Sequence, residues 1–262
     1  MMRALYTGAS GMKGQQFRID VTANNIANVN TTGFKRDRAE FQDLIYQNLR
    51  VPGATSATGT QFPTGLMVGL GTHPVATFKM FFQGPLVETQ NPLDLAIEGD
   101  GFFQVLMPDG TIAYTRDGSF KIDGQGNVVT NEGFFLEPPL TVPANAVELV
   151  ITPDGVVNVR LPGEPNLTQI GQIETVRFIN PAGLQPIGRN LFQETDASGP
   201  PQLGQPGLEG HGFVRQGFLE QSNVQIVDEM IDLIIGQRAF ETNSKSVQVS
   251  DQVLGIANEL KR

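Results

Sequence analysis

The chain has 262 residues, 39% of them hydrophobic, with a net charge of −9, 30 glycines, 17 prolines, no cysteine and two histidines. That length suffices for one large domain or two small ones with a packed core. The composition excludes disulfides, thiolate metal sites and a cysteine nucleophile, and it argues against a histidine-rich metal centre and against general nucleic-acid binding.

The N-terminal residues Met1 to Gly8 carry one arginine and no continuous apolar run, so no cleaved secretory signal is expected. No stretch approaches the ~18 apolar residues that a membrane helix needs, so no membrane insertion is expected. Charge is unevenly spread. Residues 1–50 hold seven Lys/Arg against four Asp/Glu, residues 51–223 seven against seventeen, and residues 224–262 four against six. The acidic middle reads as a solvated surface between ends of a different kind.

The first element in chain order is a helix of about 25 residues. Leu5, Met12, Ile19 and Ile26 recur every seven residues, with Ala9, Gln16 and Ala23 four beyond the first three. That is the seam of a helix packing on other helices. Gly8, Gly11 and Gly14 each cost roughly 1 kcal/mol relative to alanine in a helix interior. Three residues apart, they share one side, where another backbone can approach closely.

Residues 46–66, with Pro52, Gly53, Ser56, Gly59 and Pro63, show no usable periodicity and read as an extended arm. From about residue 71 the pattern turns to short alternating runs punctuated by turns. Gly101–Met107 runs into Pro108-Asp109-Gly110, and Gly126–Thr130, Val147–Thr152 and Val156–Leu161 lie among Asp-Gly and Glu-Gly pairs. The last element is a long helix from about residue 224. Ile235, Ala239, Thr242, Ser246, Val249, Val253, Ile256 and Leu260 keep a 4-3-4-3 spacing, and Val227 and Ile231 extend an apolar stripe upstream. Ser222 or Asn223 is the expected N-cap. Such a helix is nearly 60 Å long at about 1.5 Å per residue and needs partners to cover it.

The expected fold is a mainly β body, hairpin-rich and barrel- or sandwich-like, inserted between N- and C-terminal helices that pair as a coiled coil. Residues 1–32 and 224–262 form the helical region, 33–70 an arm and 71–223 the all-β domain. Little here suggests catalysis. Ser10-Gly11-Met12-Lys13 fits S-x-x-K, but neither S-D-N nor K-T-G occurs, and Gly69-Leu70-Gly71 lacks the third glycine of a dinucleotide loop. No catalytic, cofactor or metal site is expected.

Two stretches go beyond pattern. Asn24-Asn25-Ile26-Ala27-Asn28-Val29-Asn30-Thr31-Thr32-Gly33-Phe34-Lys35-Arg36 resembles the N-terminal signature of bacterial flagellar rod and hook proteins. Leu219-Glu220-Gln221-Ser222-Asn223-Val224 followed by Gln237-Arg238-Ala239-Phe240-Glu241-Thr242-Asn243 resembles the C-terminal signature of the same axial family. Asp94–Phe103 and Tyr114–Phe120 resemble family blocks as well. Tyr46 to Gly53, through Phe62-Pro63, is similar to a segment that distal rod members carry and hook members lack.

The resemblance implies a structural subunit of a helical homopolymer, a rigid tube that transmits motor torque to the hook and forms part of the export channel. Its implied partners are copies of itself, proximal rod proteins, the hook protein and the P- and L-ring proteins. Its implied location is the rod of the flagellar basal body across the periplasm, reached without a cleaved signal peptide. Leu5, Met12, Ile19 and Ile26 are expected to pack against Ile235, Val249, Val253, Ile256 and Leu260, within and between subunits. Val227, Ile231, Gln237 and Arg238 are expected at the same interface. Asn24, Asn25, Asn28, Gly33 and Phe34 are expected to set a joint between helix and body. Tyr46, Pro52, Gly53, Phe62 and Pro63 are expected to make the polymer rigid. The alternative reading is a β binding module or adhesin carried on a helical oligomerisation stalk.

Overall fold

The computed structural model describes residues 2–53, 63–163 and 166–259. Contacts divide the chain into two compact units, one of Met1–Ile26, Asp37–Phe78 and Gln225–Arg262, the other of Ala27–Arg36 and Lys79–Val224. Residues 27–36 therefore fall with the β body and residues 37–78 with the helices, whereas the sequence suggested an arm over 33–70.

The helical unit holds α1 (Met2–Ala27) and α2 (Ile226–Glu259) with four strands: β1 (Asp37–Asp43), β2 (Tyr46–Arg50), β3 (Leu66–Gly69) and β4 (Thr72–Lys79). β1 pairs with β4, and β2 pairs with β3. The helices run antiparallel. Arg18 meets Asp232 at 2.7 Å, Asn25 Nδ2 donates to Glu229 Oε2 at 3.2 Å, and Ile19 faces Gly236. A Cβ on Gly8 would lie 2.8 Å from Val247, and one on Gly11 would lie 2.9 Å from Asn243. Their helix-weakening cost is thus offset by an approach that any side chain would block.

The face of α2 turned to α1 differs from the stripe expected from sequence. Its half-buried and buried positions include Gly236, Phe240, Asn243, Val247, Ser250 and Leu254. Ile235, Val249, Val253 and Ile256 stay 50%, 57%, 42% and 57% exposed. With 3.6 residues per turn, the two faces lie roughly a third of a turn apart. Gly8 and Gly11 of α1 make room there for Val247 and Asn243, and Gly236 of α2 makes room for Ile19.

Among the described residues, the regular elements of the body unit are strands and one 3₁₀ turn at Pro181–Gly183. It begins with β5 (Leu86–Glu88), β6 (Leu95–Glu98), β7 (Phe103–Leu106) and β8 (Ile112–Thr115). β7 and β8 sit mid-sheet in a seven-stranded array ordered Gln185–Gly188, Leu191–Gln193, β8, β7, Phe135–Glu137, Val128–Val129 and Lys121–Ile122. Glu148–Ile151, Val156–Arg160 and Thr168–Gln172 form a second sheet. β6 pairs with Phe213–Gln216, and β5 pairs with Phe218–Glu220.

Consecutive strand residues point to opposite faces, and here both faces are covered. Phe103 packs with Leu95, Phe120, Leu136, Val157 and Ile173, while its neighbour Phe102 joins Tyr114, Val176, Phe178 and Phe192. Rings in this second cluster meet edge to face, as with Tyr114 and Phe178 at 4.8 Å and 83°. The Pro108-Asp109-Gly110 turn closes as expected, Met107 N donating to Thr111 O at 2.9 Å.

His211 is buried, its Nδ1 3.0 Å from Thr175 Oγ1. Burial, aided by Arg177, pulls its pKa below the ordinary 6.5. The folded chain then holds fewer protons than the unfolded one below that value, so stability is level above about pH 6.5 and falls as pH drops through it. Melting from pH 7 to pH 5 should show a steeper loss for the natural chain than for His211→Gln.

Candidate assembly surfaces

Along α2, Val227, Met230, Ile231, Ile234, Ile235, Val249, Val253 and Ile256 are 42–68% exposed. Gln237 and Arg238 are exposed too, and Arg238 Nη1 lies 3.1 Å from Glu241 one turn on. Leu260 lies outside the described residues. On α1, Leu5, Met12, Ile19 and Ile26 are half-buried. A helix 34 residues long, about 51 Å, thus carries an apolar stripe that α1 does not cover. Ser10 Oγ donates to Thr7 O at 2.9 Å, and Lys13 is exposed.

The asparagines divide between the units. Asn25, 1% exposed, exchanges two bonds with the Asp37 backbone, Nδ2 to O and N to Oδ1, both 2.9 Å, besides its bond to Glu229. It pins the end of α1 to the start of β1. Asn24 is exposed and reaches Asp37 Oδ2 at 3.4 Å. In the body unit, Asn28 closes a turn, accepting from Thr31 N at 3.1 Å and Thr31 Oγ1 at 3.2 Å.

Gly33 follows in the left-handed region at φ +69°, where an added Cβ would stand 2.7 Å from Arg116 C and Asp117 N. Its N–H donates to Glu220 O at 2.8 Å. Phe34 is half-buried under the Lys79 ammonium, 4.7 Å from the ring centre. Gly33→Ala combines backbone strain with a clash against main chain that no side-chain rotation relieves. It should cost about 2–3 kcal/mol, measured as a lower urea midpoint at unchanged slope.

Sequence alone does not reveal the group beside Gly33. Lys35 and Glu220 side chains are 0% exposed and 2.5 Å apart, and Arg116 Nη1 lies 3.2 Å from the other carboxylate oxygen. Lys35 Nζ also donates to Phe82 O at 2.9 Å, and Glu220 Oε1 accepts Gly84 N at 2.9 Å. Burial pulls the Lys35 ammonium below its usual range while Glu220 opposes the shift. Asn223 does not cap α2. Its Oδ1 accepts Arg36 N at 2.7 Å and its Nδ2 donates to Met80 O and Phe82 O at 2.8 and 2.9 Å. Charged residues read as solvent-facing by default, so only proximity in space, across 185 residues of sequence for Lys35 and Glu220, exposes the pairing.

The region 46–66 is no featureless arm. β2 and β3 form antiparallel legs, Tyr46 opposite Gly69 and Asn48 opposite Met67. Tyr46, Leu49, Val51, Leu66 and Met67 are 48–59% exposed, and Pro52, Gly53 and Pro63 are exposed as well. Phe62 lies outside the described residues. Both faces of this two-stranded ribbon are open, which is why no period-two signal marks it.

Three family models match in chain order. They are the flagella basal body rod protein over residues 5–35, the flagellar hook protein FlgE/F/G D1 domain over 96–159, and the C-terminal model of the flagellar basal body rod FlgEFG proteins over 215–260. Flagellar basal-body rod protein FlgG of Borreliella burgdorferi is 52% identical over 264 residues, covering 100% of both chains. The chain belongs to the FlgG family of flagellar basal-body rod proteins.

FlgG of Buchnera aphidicola subsp. Schizaphis graminum is 46% identical over 99% of this chain and 100% of its own. FlgG of Caulobacter vibrioides is also 46% identical over 99% of this chain and 100% of its own. The FlgG matches thus run through the exposed stripe, the buried charge group and the β2–β3 ribbon alike. The first and third family models fall on α1 and α2, and the second falls on the β body. Among the described residues no helix is long and apolar enough to cross a membrane.

Proposed function

We propose that this structural subunit of the flagellar rod polymerises through the uncovered stripe of α2, Val227 to Ile256, seated on helices of neighbouring copies. The observation that carries this reading is the pair of faces on α2. One, built on Gly236, Asn243 and Val247, is used up by α1 of the same chain. The other carries exposed apolar residues in two groups, Val227 to Ile235 and Val249 to Ile256, with Arg238, Glu241 and Lys245 exposed between them, and α1 does not cover it. Leu5, Met12, Ile19 and Ile26, half-buried, have surface left to join that contact. The role is mechanical rather than catalytic: a tube that carries torque to the hook, crosses the periplasm, and meets proximal rod, hook, P-ring and L-ring proteins along its length.

The β2–β3 ribbon supplies rigidity. A two-stranded ribbon is marginal alone in water, and its exposed Tyr46, Leu49, Val51 and Met67 gain by packing on a neighbour. Deletion of residues 46–63 should leave the body folded and the chain assembling, with filaments several-fold softer by curvature analysis in electron micrographs. Filaments of natural stiffness from that deletion would remove the ribbon from the account. Pelleting the full chain over a concentration series tests polymerisation itself: a sharp critical concentration supports it, and a soluble species at every concentration contradicts it.

A further inference from the structure

The Lys35–Arg116–Glu220 cluster has no part in the surfaces above, yet it sits where the body's chain connections gather. Residues 33–36 follow α1 and precede β1, residues 80–85 follow β4, and residues 220–224 precede α2. Within the body unit these three segments are tied to one another. Gly33 N donates to Glu220 O, Met80 N to Arg36 O and Gln221 N to Pro85 O, at 2.8, 2.9 and 3.0 Å. Asn223 bonds Arg36, Met80 and Phe82 with its one amide. Glu220 bonds Lys35, Gly84 and Arg116 with its one carboxylate, and Arg116 Nη2 continues to Gly99 O at 2.7 Å.

We propose that Lys35, Arg116 and Glu220 are positioning residues, a keyed joint that holds these three connections in one geometry, and that the straightness of the polymer depends on them. The proposal rests on the rod reading above.

Two cations against one carboxylate in a dry site make a poor stabiliser. Desolvation is costly, and apolar packing of similar volume does as well or better. Arg116 Nε has no partner among the described residues, a further cost. What the cluster supplies is direction. Charge-assisted hydrogen bonds fix distance and angle at each segment, where an apolar contact of equal strength lets segments slide. A tube that must not flex needs these connections held alike in every subunit, and small slips would add up along the polymer.

The test compares full chains: natural, Lys35→Met/Arg116→Met/Glu220→Leu, and Lys35→Gln/Glu220→Gln. Unfolding midpoints, amide exchange at Gly33 and Gly84, and filament curvature are read for each. The triple variant should melt within ~3 °C of the natural chain, lose protection at those two amides, and form curved or irregular filaments. Straight filaments of natural stiffness from the triple variant would overturn the proposal. If the triple variant fails to fold, curved filaments from the double variant support the joint, and straight ones overturn it. Failure of both variants to fold would also overturn it, because the cluster would then carry the fold itself. If the natural chain forms no filaments, it is the rod reading that fails.

Discussion

Glu220→Gln alone is expected to destabilise the chain by about 3–5 kcal/mol, more than Gly33→Ala or any single change on the exposed stripe. The substitution keeps the volume and an acceptor for Gly84 N, but it leaves Lys35 and Arg116 buried with no anion between them. Lys35 is 1% and Arg116 4% exposed, so water cannot take over. The ammonium answers by releasing its proton more readily, which moderates the loss and makes it pH-dependent: the deficit should be smaller at pH 9 than at pH 7. Urea unfolding at the two pH values measures both. A loss under about 1 kcal/mol at pH 7 would mean that the cluster is wetter than the structure shows.

Val253→Asp should act on the polymer and spare the monomer. Val253 is 42% exposed in the single chain, so its replacement should change folding stability by no more than about 0.5 kcal/mol. In the assembled stripe the same carboxylate would be desolvated without a partner, at a cost of several kcal/mol per subunit. Each ~1.4 kcal/mol is tenfold in affinity, so the critical concentration should rise at least about a hundred-fold. Cells carrying the variant should lack rods and swim no better than non-flagellated cells. Normal rods and normal motility would take Val253 out of the interface, and with it the stripe to which it belongs.

How much of this is legible in the sequence differs by element. Seven-residue spacing marks α1 and α2, and Gly8 and Gly11 do lie against a close neighbour, though it is the Val247 and Asn243 side chains of α2 that fill the space. The same spacing rule selects the wrong face of α2 for the contact within the chain. It weighs apolarity, whereas the contacts with α1 include Gly236 against Ile19 and Asn243 against Gly11, residues that carry no hydrophobic signal. Turns at Pro108-Asp109-Gly110 and Asp154-Gly155 declare the hairpins of the body because their residue chemistry is local. The β2–β3 ribbon escapes notice since neither of its faces is buried.

Long-range polar contacts are the least legible. Ser222 and Asn223 look like helix caps, but Ser222 Oγ accepts Val224 N at 3.3 Å, two residues before α2 begins at Ile226. Asn223 instead ties its own segment to two others, a use that depends on residues 36, 80 and 82 being near it. Lys35 and Glu220 fall within the stretches that carry the family resemblance, but nothing in their neighbours reveals that each is the other's counter-ion. The division of the chain teaches the same lesson, since the buried Lys35 belongs to the body although it follows α1 by only eight residues.

The most direct test of the central claim follows the purified full-length chain by electron microscopy and circular dichroism as its concentration rises. Straight tubes are expected above a critical concentration, with helix content rising as they form, because the uncovered face of α2 gains its cover only in the polymer. A chain that is fully helical at every concentration, remains a small discrete oligomer and never forms tubes would contradict that claim.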